Sequence, residues 1–333
     1  MSMRLLTLIL LAAVSSAADF PTAEISNGQI KAKVYLPDAK NGFYRSTRFD
    51  WSGAIGALEY KGHNYYGPWF KKITDVYDFG YEGDDVISAP FTAMVGPSEE
   101  YGVLGYDEAK VGGTFIKVGV GVLRKTEEPR YDHSKTYEIV DGGKWTVKKH
   151  KDSIDFEHAV SDSASGYGYL YRKTVRLVKG EPRMLIEHSL KNTGPKPIQS
   201  NVYNHNFLVL DNQPPGPDFE ITVPFEIKPR REPNKELGEI RGNRIVYLKT
   251  LTGKDRMTTS FQGFSDSPKD YDIRIENKKV GAGMRITGDR PLSNVGYWSI
   301  KTVMAIEPYN ALSIAPSVEF TWNINYEYYT LPK

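Results

Sequence analysis

Period-two alternation, cut by closely spaced turn signals, runs along nearly the whole chain and leaves little room for anything but strands. In residues 183–190, Met184, Ile186 and His188 fall on one side while Leu185, Glu187 and Ser189 fall on the other. That is the pattern of a strand with one buried face. Similar runs cover 30–36, 114–123, 145–149, 153–159, 167–178, 198–210, 218–224, 244–248, 271–277, 281–287, 295–307 and 318–328. Turn formers separate them: Asp141-Gly142-Gly143, Lys179-Gly180-Glu181-Pro182, Asn192-Thr193-Gly194-Pro195 and Pro214-Pro215-Gly216-Pro217. No helix of more than two or three turns is expected. Many short strands at close spacing predict an all-β sandwich or barrel. With 22 Tyr, 14 Phe and 5 Trp, the chain is rich in residues that suit both pleated surfaces and sugar sites.

The first residues follow another logic. Arg4 precedes an apolar run from Leu5 to Val14, and Ser15-Ser16-Ala17-Ala18 follows. A positive residue, a short apolar stretch and small residues before Asp19 read as a secretory signal peptide. Cleavage is expected after Ala17 or Ala18, leaving 19–333 as a single domain destined for the periplasm or the exterior. No later stretch approaches membrane-spanning length, so no membrane contact is expected after cleavage. The formal charge of +2 argues against a nucleic-acid partner. The absence of cysteine rules out disulfides, a thiolate nucleophile and Cys-type zinc ligation.

Two stretches interrupt the pattern. Residues 71–85 carry Asp75, Asp78, Glu82, Asp84 and Asp85, without the spacing of an EF-hand. A solvated acidic loop is the simpler account. Residues 228–241, dense in Arg, Lys, Glu and Pro, read as an exposed excursion.

Three clusters could carry chemistry. In Asn201-Val202-Tyr203-Asn204-His205-Asn206-Phe207-Leu208, a histidine sits between two asparagines near a strand end. The amides could orient the ring, and such a histidine can donate a proton near neutral pH. On the spacing alone, a structural histidine is the simpler account. In Met304-Ala305-Ile306-Glu307-Pro308-Tyr309, a lone carboxylate closes an apolar strand that the proline is expected to end. A partly desolvated carboxyl there would have a raised pKa, as a useful base needs. A strand-end Glu in solvent is the alternative. The third cluster is Asn41–Trp51. If extended, it sets Arg45 with Phe43, Phe49 and Trp51 on one face, and Arg48 beside Asp50 on the other, close enough to pair. Arginine among aromatics suits sugar hydroxyls, carboxylates and ring faces.

The order of several of these segments resembles the aldose 1-epimerase (galactose mutarotase-like) family. Tyr169-Leu170-Tyr171-Arg172-Lys173-Thr174-Val175-Arg176-Leu177, then Leu185-Ile186-Glu187-His188-Ser189-Leu190-Lys191-Asn192-Thr193-Gly194, then Tyr203-Asn204-His205-Asn206-Phe207 are similar to that family's central strands, turn and Asn-His-x-x-Phe motif. Tyr297-Trp298 leading to Glu307-Pro308 resembles its end, and Gly53–Gly62 its early strand and Lys-Gly turn. The resemblance spans most of the chain, in order more than in identity. It departs upstream, where Gly96–Gly102 holds no histidine, and at Gly263–Asp266, which only weakly echoes an aspartate contact of the family.

The resemblance implies a β-supersandwich, a mono- or oligosaccharide bound across a concave sheet, and chemistry that needs no cofactor and no metal. It implies His205 as general acid and Glu307 as general base, opening and reclosing a sugar ring. Arg45, Arg48, Asp50, Asn204, Trp298 and Tyr309 are the expected sugar contacts. Two other functions remain open on the same fold: a carbohydrate-binding protein without turnover, and a polysaccharide lyase or hydrolase.

Overall fold

In a computed structural model, the described residues are 20–332 apart from 75, 77, 78, 90 and 91. The segment read as a signal peptide lies outside them. The architecture is a β-sandwich. A ten-stranded sheet is ordered Lys144–Lys149, Ser153–Asp162, Tyr167–Leu177, Arg183–Asn192, Glu319–Thr330, Ala282–Gly288, Asp272–Asn277, Phe219–Thr222, Arg244–Tyr247, Gly238–Arg241. Facing it is a six-stranded sheet ordered Lys228–Arg231, Arg256–Gln262, Asn294–Ile300, Val303–Ile314, Ile198–Leu208, Gly96–Tyr101. Neighbouring strands in both are antiparallel. A four-stranded sheet formed by Thr22–Ser26, Ile30–Tyr35, Ala54–Tyr60 and His63–Asn64 precedes them. Its last hairpin turns at Lys61-Gly62, both at positive φ (49° and 84°), which glycine tolerates without strain.

Alternation decides what each side chain meets. Along Arg183–Asn192 the buried positions are Met184, Ile186, His188, Leu190 and Asn192, every second residue. They enter a core shared by the two sheets, with Val202, Phe261, Val295, Ile306 and Trp322. Burying one such large apolar chain contributes about 1.5–3 kcal/mol, so register is strongly enforced. The other face of the six-stranded sheet packs Phe207, Ile300 and Val303 on Phe49, Trp69 and Phe115 in a second core. This face carries the candidate site.

Several sequence expectations need correction. The run at 114–123 is a hairpin, Thr114–Lys117 and Gly121–Arg124, which turns through Gly119 at φ 77°. The run at 295–307 is also a hairpin, of Asn294–Ile300 and Val303–Ile314. Pro308 therefore does not end its strand but lies inside it. Residues 43–51 form no strand; the chain there is folded on itself, with Tyr44 accepting the backbone N–H groups of Arg48 and Phe49. The excursion at 228–241 contains two short edge strands, Lys228–Arg231 and Gly238–Arg241. The acidic stretch belongs to a small sheet of Lys72–Ile73, Gly80–Glu82 and Asp85–Ser88. Lys72, Lys301 and Lys71 pair with Glu82, Asp84 and Asp85 respectively. Asp75 and Asp78 lie outside the described residues. No described helix is long and apolar enough to cross a membrane.

Candidate active site

Ile198–Leu208 and Val303–Ile314 pair Tyr203 with Tyr309 and Asn206 with Ile306, which sets His205 opposite Glu307. Pro308 explains the gap between those two pairs: it has no N–H to give to the ladder. Asn206 patches the interruption, its Nδ2 donating to the Ile306 carbonyl at 2.8 Å and to the Asn204 carbonyl at 3.1 Å.

Opposite each other on one face of the sheet, the two side chains meet. His205 Nε2 lies 3.1 Å from Glu307 Oε1, and both line one cavity of about 260 Å³. Trp69, Phe79, Phe207 and Trp298 supply its aromatic surfaces, and Arg48, Arg256 and His133 its cationic and polar ones. The imidazole stacks on Phe207 (centroids 3.9 Å apart) and meets Phe49 and Trp298 edge-on. Its Nδ1 is buried and has no hydrogen-bond partner among the described residues. Gly296 sits across the strand pair from Glu307, and a Cβ there would come within 2.7 Å of Glu307 Oε2. The bare glycine makes room for the carboxylate.

Burial sets the proton affinities. It pushes Glu307 up to about 7, against the pull of the Arg48 guanidinium. It pushes His205 well below the ordinary imidazole value, and Arg48 pushes the same way. His133, exposed at the cavity wall, is lowered by the partial desolvation of its ring and by Arg48. Burial thus brings the Glu307 carboxyl near neutrality, as acid–base chemistry requires, and favours the neutral imidazole at His205.

Arg48 is held by Glu100. Its Nε donates to Glu100 Oε2 at 2.7 Å and its Nη2 to the Tyr203 hydroxyl at 3.2 Å. Tyr203 donates to Glu100 in turn, and Lys117 Nζ donates to Glu100 Oε1 at 3.3 Å. Burial raises the Glu100 carboxyl, but Arg48 and Lys117 overcome it and hold the group at about 2. It is a fixed anion that positions the arginine.

Of the expected contacts, Arg48 and Trp298 share the cavity with His205 and Glu307, and Tyr309 lines an adjoining chamber. Asp50 does not pair with Arg48. It is buried away from the cavity, 3.5 Å from Lys173, with Ser52 and Tyr171 donating to it. Asn204 and Asn206 do not orient the ring, because neighbours in a strand point to opposite faces. Asn204 donates to Glu99 at 3.0 Å, and Asn206 accepts from Tyr326 at 2.8 Å. Arg45 donates to the Lys40 carbonyl and lines neither chamber.

Sequence reasoning passed over Glu100, Lys117, His133 and Arg256. One signal was readable: two adjacent carboxylates, Glu99-Glu100, must point to opposite faces of a strand. Glu99 enters the core, where Lys173 and His188 grip it; Glu100 enters the site. His133 comes from a loop without periodicity and left no signal.

No protein-family model and no curated protein matches the chain. Solved structures do match its fold. A galactose mutarotase-like protein from Lactobacillus casei superposes with a TM-score of 0.53 at 12% identity, covering 92% of this chain and 100% of that one. The GalM/aldose epimerase homologue from C. elegans gives 0.53 at 15% identity, covering 93% and 99%. A galactose mutarotase-related enzyme from Lactobacillus acidophilus gives 0.50 at 14%, covering 94% and 98%. The fold is galactose mutarotase-like.

Proposed function

We propose that this chain, with its galactose mutarotase-like fold, is an exported carbohydrate-active enzyme that interconverts sugar anomers, with His205 and Glu307 as its acid and base. The observation that carries this reading is the His205–Glu307 contact of 3.1 Å on the floor of an aromatic, water-accessible cavity. The Leu5–Val14 run supports export.

Ring opening needs a proton removed from the anomeric hydroxyl and a proton delivered to the ring oxygen. The pair carries one proton below about pH 7. Moved across the hydrogen bond from Oε1 to Nε2, that proton yields a carboxylate base and an imidazolium acid. Glu307 then accepts the anomeric proton while His205 protonates the ring oxygen, and the C1–O5 bond breaks. Rotation about C1–C2 presents the other carbonyl face. Reclosure runs the two transfers backwards and restores both groups. Binding must part the pair so that the sugar replaces their mutual hydrogen bond. Phe79 and Trp298, both partly exposed in the cavity, offer aromatic surface to the apolar side of a pyranose, and Arg48, fixed by Glu100, offers donors to its hydroxyls.

Glu307→Gln tests the reading. The amide keeps the shape and loses the basicity, so anomer interconversion followed by polarimetry should vanish. Sugar affinity should stay within about tenfold, about 1.4 kcal/mol. A protein that only binds sugar would show no turnover in either form. A lyase would instead release an ultraviolet-absorbing unsaturated product from a uronate polymer.

A further inference from the structure

The cavity at His205 does not end at Glu307. A second chamber, of about 400 Å³, opens on the other side of Arg48, His133 and Glu307, and these three residues line both. The strand that floors them shows how they are arranged. Along Ile198–Leu208, the residues on the site face are Asn201, Tyr203, His205 and Phe207. Phe207 and His205 lie in the first chamber, Asn201 and Tyr203 in the second. From Asn201 to Phe207 this floor runs about 20 Å at the rise of a strand. That is several times the width of a pyranose ring.

The second chamber has its own recognition chemistry. Tyr203 and Tyr309 stack on each other at 4.3 Å between centroids and form an aromatic step beside Glu307. Glu100 and Lys117 offer an acceptor and a donor whose positions are already fixed by mutual contact at 3.3 Å. Tyr131 lies under the Lys117 ammonium at 4.7 Å, and Asn201 presents an exposed amide at the rim. An aromatic surface bordered by fixed donors and acceptors suits a carbohydrate ring, which has apolar faces and a hydroxylated edge. The anomeric chemistry of a single sugar uses Glu307, and Arg48 with Glu100 behind it, but not Tyr203, Tyr309, Lys117, Tyr131 or Asn201.

We infer that the second chamber is a subsite for a second saccharide ring, so that the protein takes a reducing disaccharide or longer oligosaccharide, with the reducing-end residue against His205–Glu307 and the adjoining residue against Tyr309, Tyr203 and Asn201. This rests on the reading of the site as a sugar site, but not on its turnover.

The test separates the two. Glu307→Gln protein is titrated calorimetrically with glucose, galactose and xylose, and with maltose, cellobiose, lactose and xylobiose. Asn201→Trp is introduced into the same background to fill the chamber from its exposed rim, and Asn201→Ala serves as the mild variant. Circular dichroism checks the folding of each. At least one disaccharide should bind tenfold or more tighter than its component monosaccharides. That preference should disappear in Asn201→Trp and weaken in Asn201→Ala, while monosaccharide affinity stays unchanged. Equal affinity for every disaccharide and its monosaccharides would overturn the subsite, as would a preference that survives Asn201→Trp in folded protein. Because binding is read in the inactive background, loss of the anomerisation reading would appear separately, as absence of turnover in the wild type.

Discussion

His205 and Glu307 owe their proton affinities to their surroundings, and this has a consequence for stability. The folded state holds the Glu307 proton to about pH 7, against an ordinary value of 4.5. A raised carboxyl stabilises the fold fully below its unfolded pKa, and that contribution is lost as pH rises to the folded value. Gln cannot ionise and escapes the loss. Glu307→Gln should therefore gain on wild type as pH rises from 4.5 to 7, reaching about 3 kcal/mol, and the gap should stay constant above. Urea unfolding across that range measures it; a difference that does not change with pH would contradict the burial of a charge. Gly296 offers a second check. Gly296→Ala places a methyl group 2.7 Å from Glu307 Oε2, and the flexible carboxylate must move aside. The fold should survive while kcat/KM falls about 10²-fold, the cost of a misplaced catalytic group. Unchanged kinetics would show that the carboxylate position is not critical. At this scale the sequence was partly legible. His205 and Glu307 stood out in short motifs, and Arg48 among aromatics. Asp50 and Asn204 were misplaced because the residues around Asp50 are not extended, and because a strand turns the neighbours of a site residue toward the core.

Strands carry the site, and one buried ionic cluster ties them together. Glu99 on Gly96–Tyr101 meets Lys173 on Tyr167–Leu177 and His188 on Arg183–Asn192, with Asn204 on Ile198–Leu208 joining from the side. All four residues are buried. Burial raises the Glu99 carboxyl, and Lys173 and His188 more than reverse it, holding the group at about 2. His188 stacks flat on Trp322 at 4.6 Å, so the imidazole is packed as well as bonded. Removing the ammonium leaves Glu99 and Asp50 without their shared cation. Lys173→Met should cost about 3–5 kcal/mol, and pairing it with Glu99→Gln should recover part of that. Additive losses in a urea double-mutant cycle would contradict the coupling. Element boundaries were harder to read than element type. The hairpins at Gly119 and at Lys301-Thr302 were hidden inside strand-like runs that hold no Pro or Asn-Gly to mark a turn. Pro308 sits mid-strand because an asparagine amide supplies the hydrogen bond that it cannot donate.

For the molecule as a whole, the all-β sandwich was legible because period-two burial recurs in strand after strand, as in Arg183–Asn192 and Glu319–Thr330. What a sequence pattern could not reveal was the convergence of distant loops on one face. Arg48, Phe79 and His133 arrive from separate non-strand segments to close a cavity over His205 and Glu307. Side-chain parity within one strand says nothing about which loop covers it. The assembled site has a distinctive pH signature. The productive state carries one proton on the His205–Glu307 pair, so the pair titrates as a unit. Activity should be level below about pH 7 and fall above it. The most direct test is magnetisation-exchange NMR between the α and β anomers of a panel of hexoses, pentoses and reducing disaccharides, across pH, with wild type and His205→Ala. Wild type should exchange at least one sugar well above the uncatalysed rate, declining about tenfold per pH unit above about 7. His205→Ala should be slower by about 10²–10⁴-fold. A wild type that exchanges no sugar in the panel, a rate that climbs through pH 7, or a His205→Ala protein as fast as wild type would contradict the account.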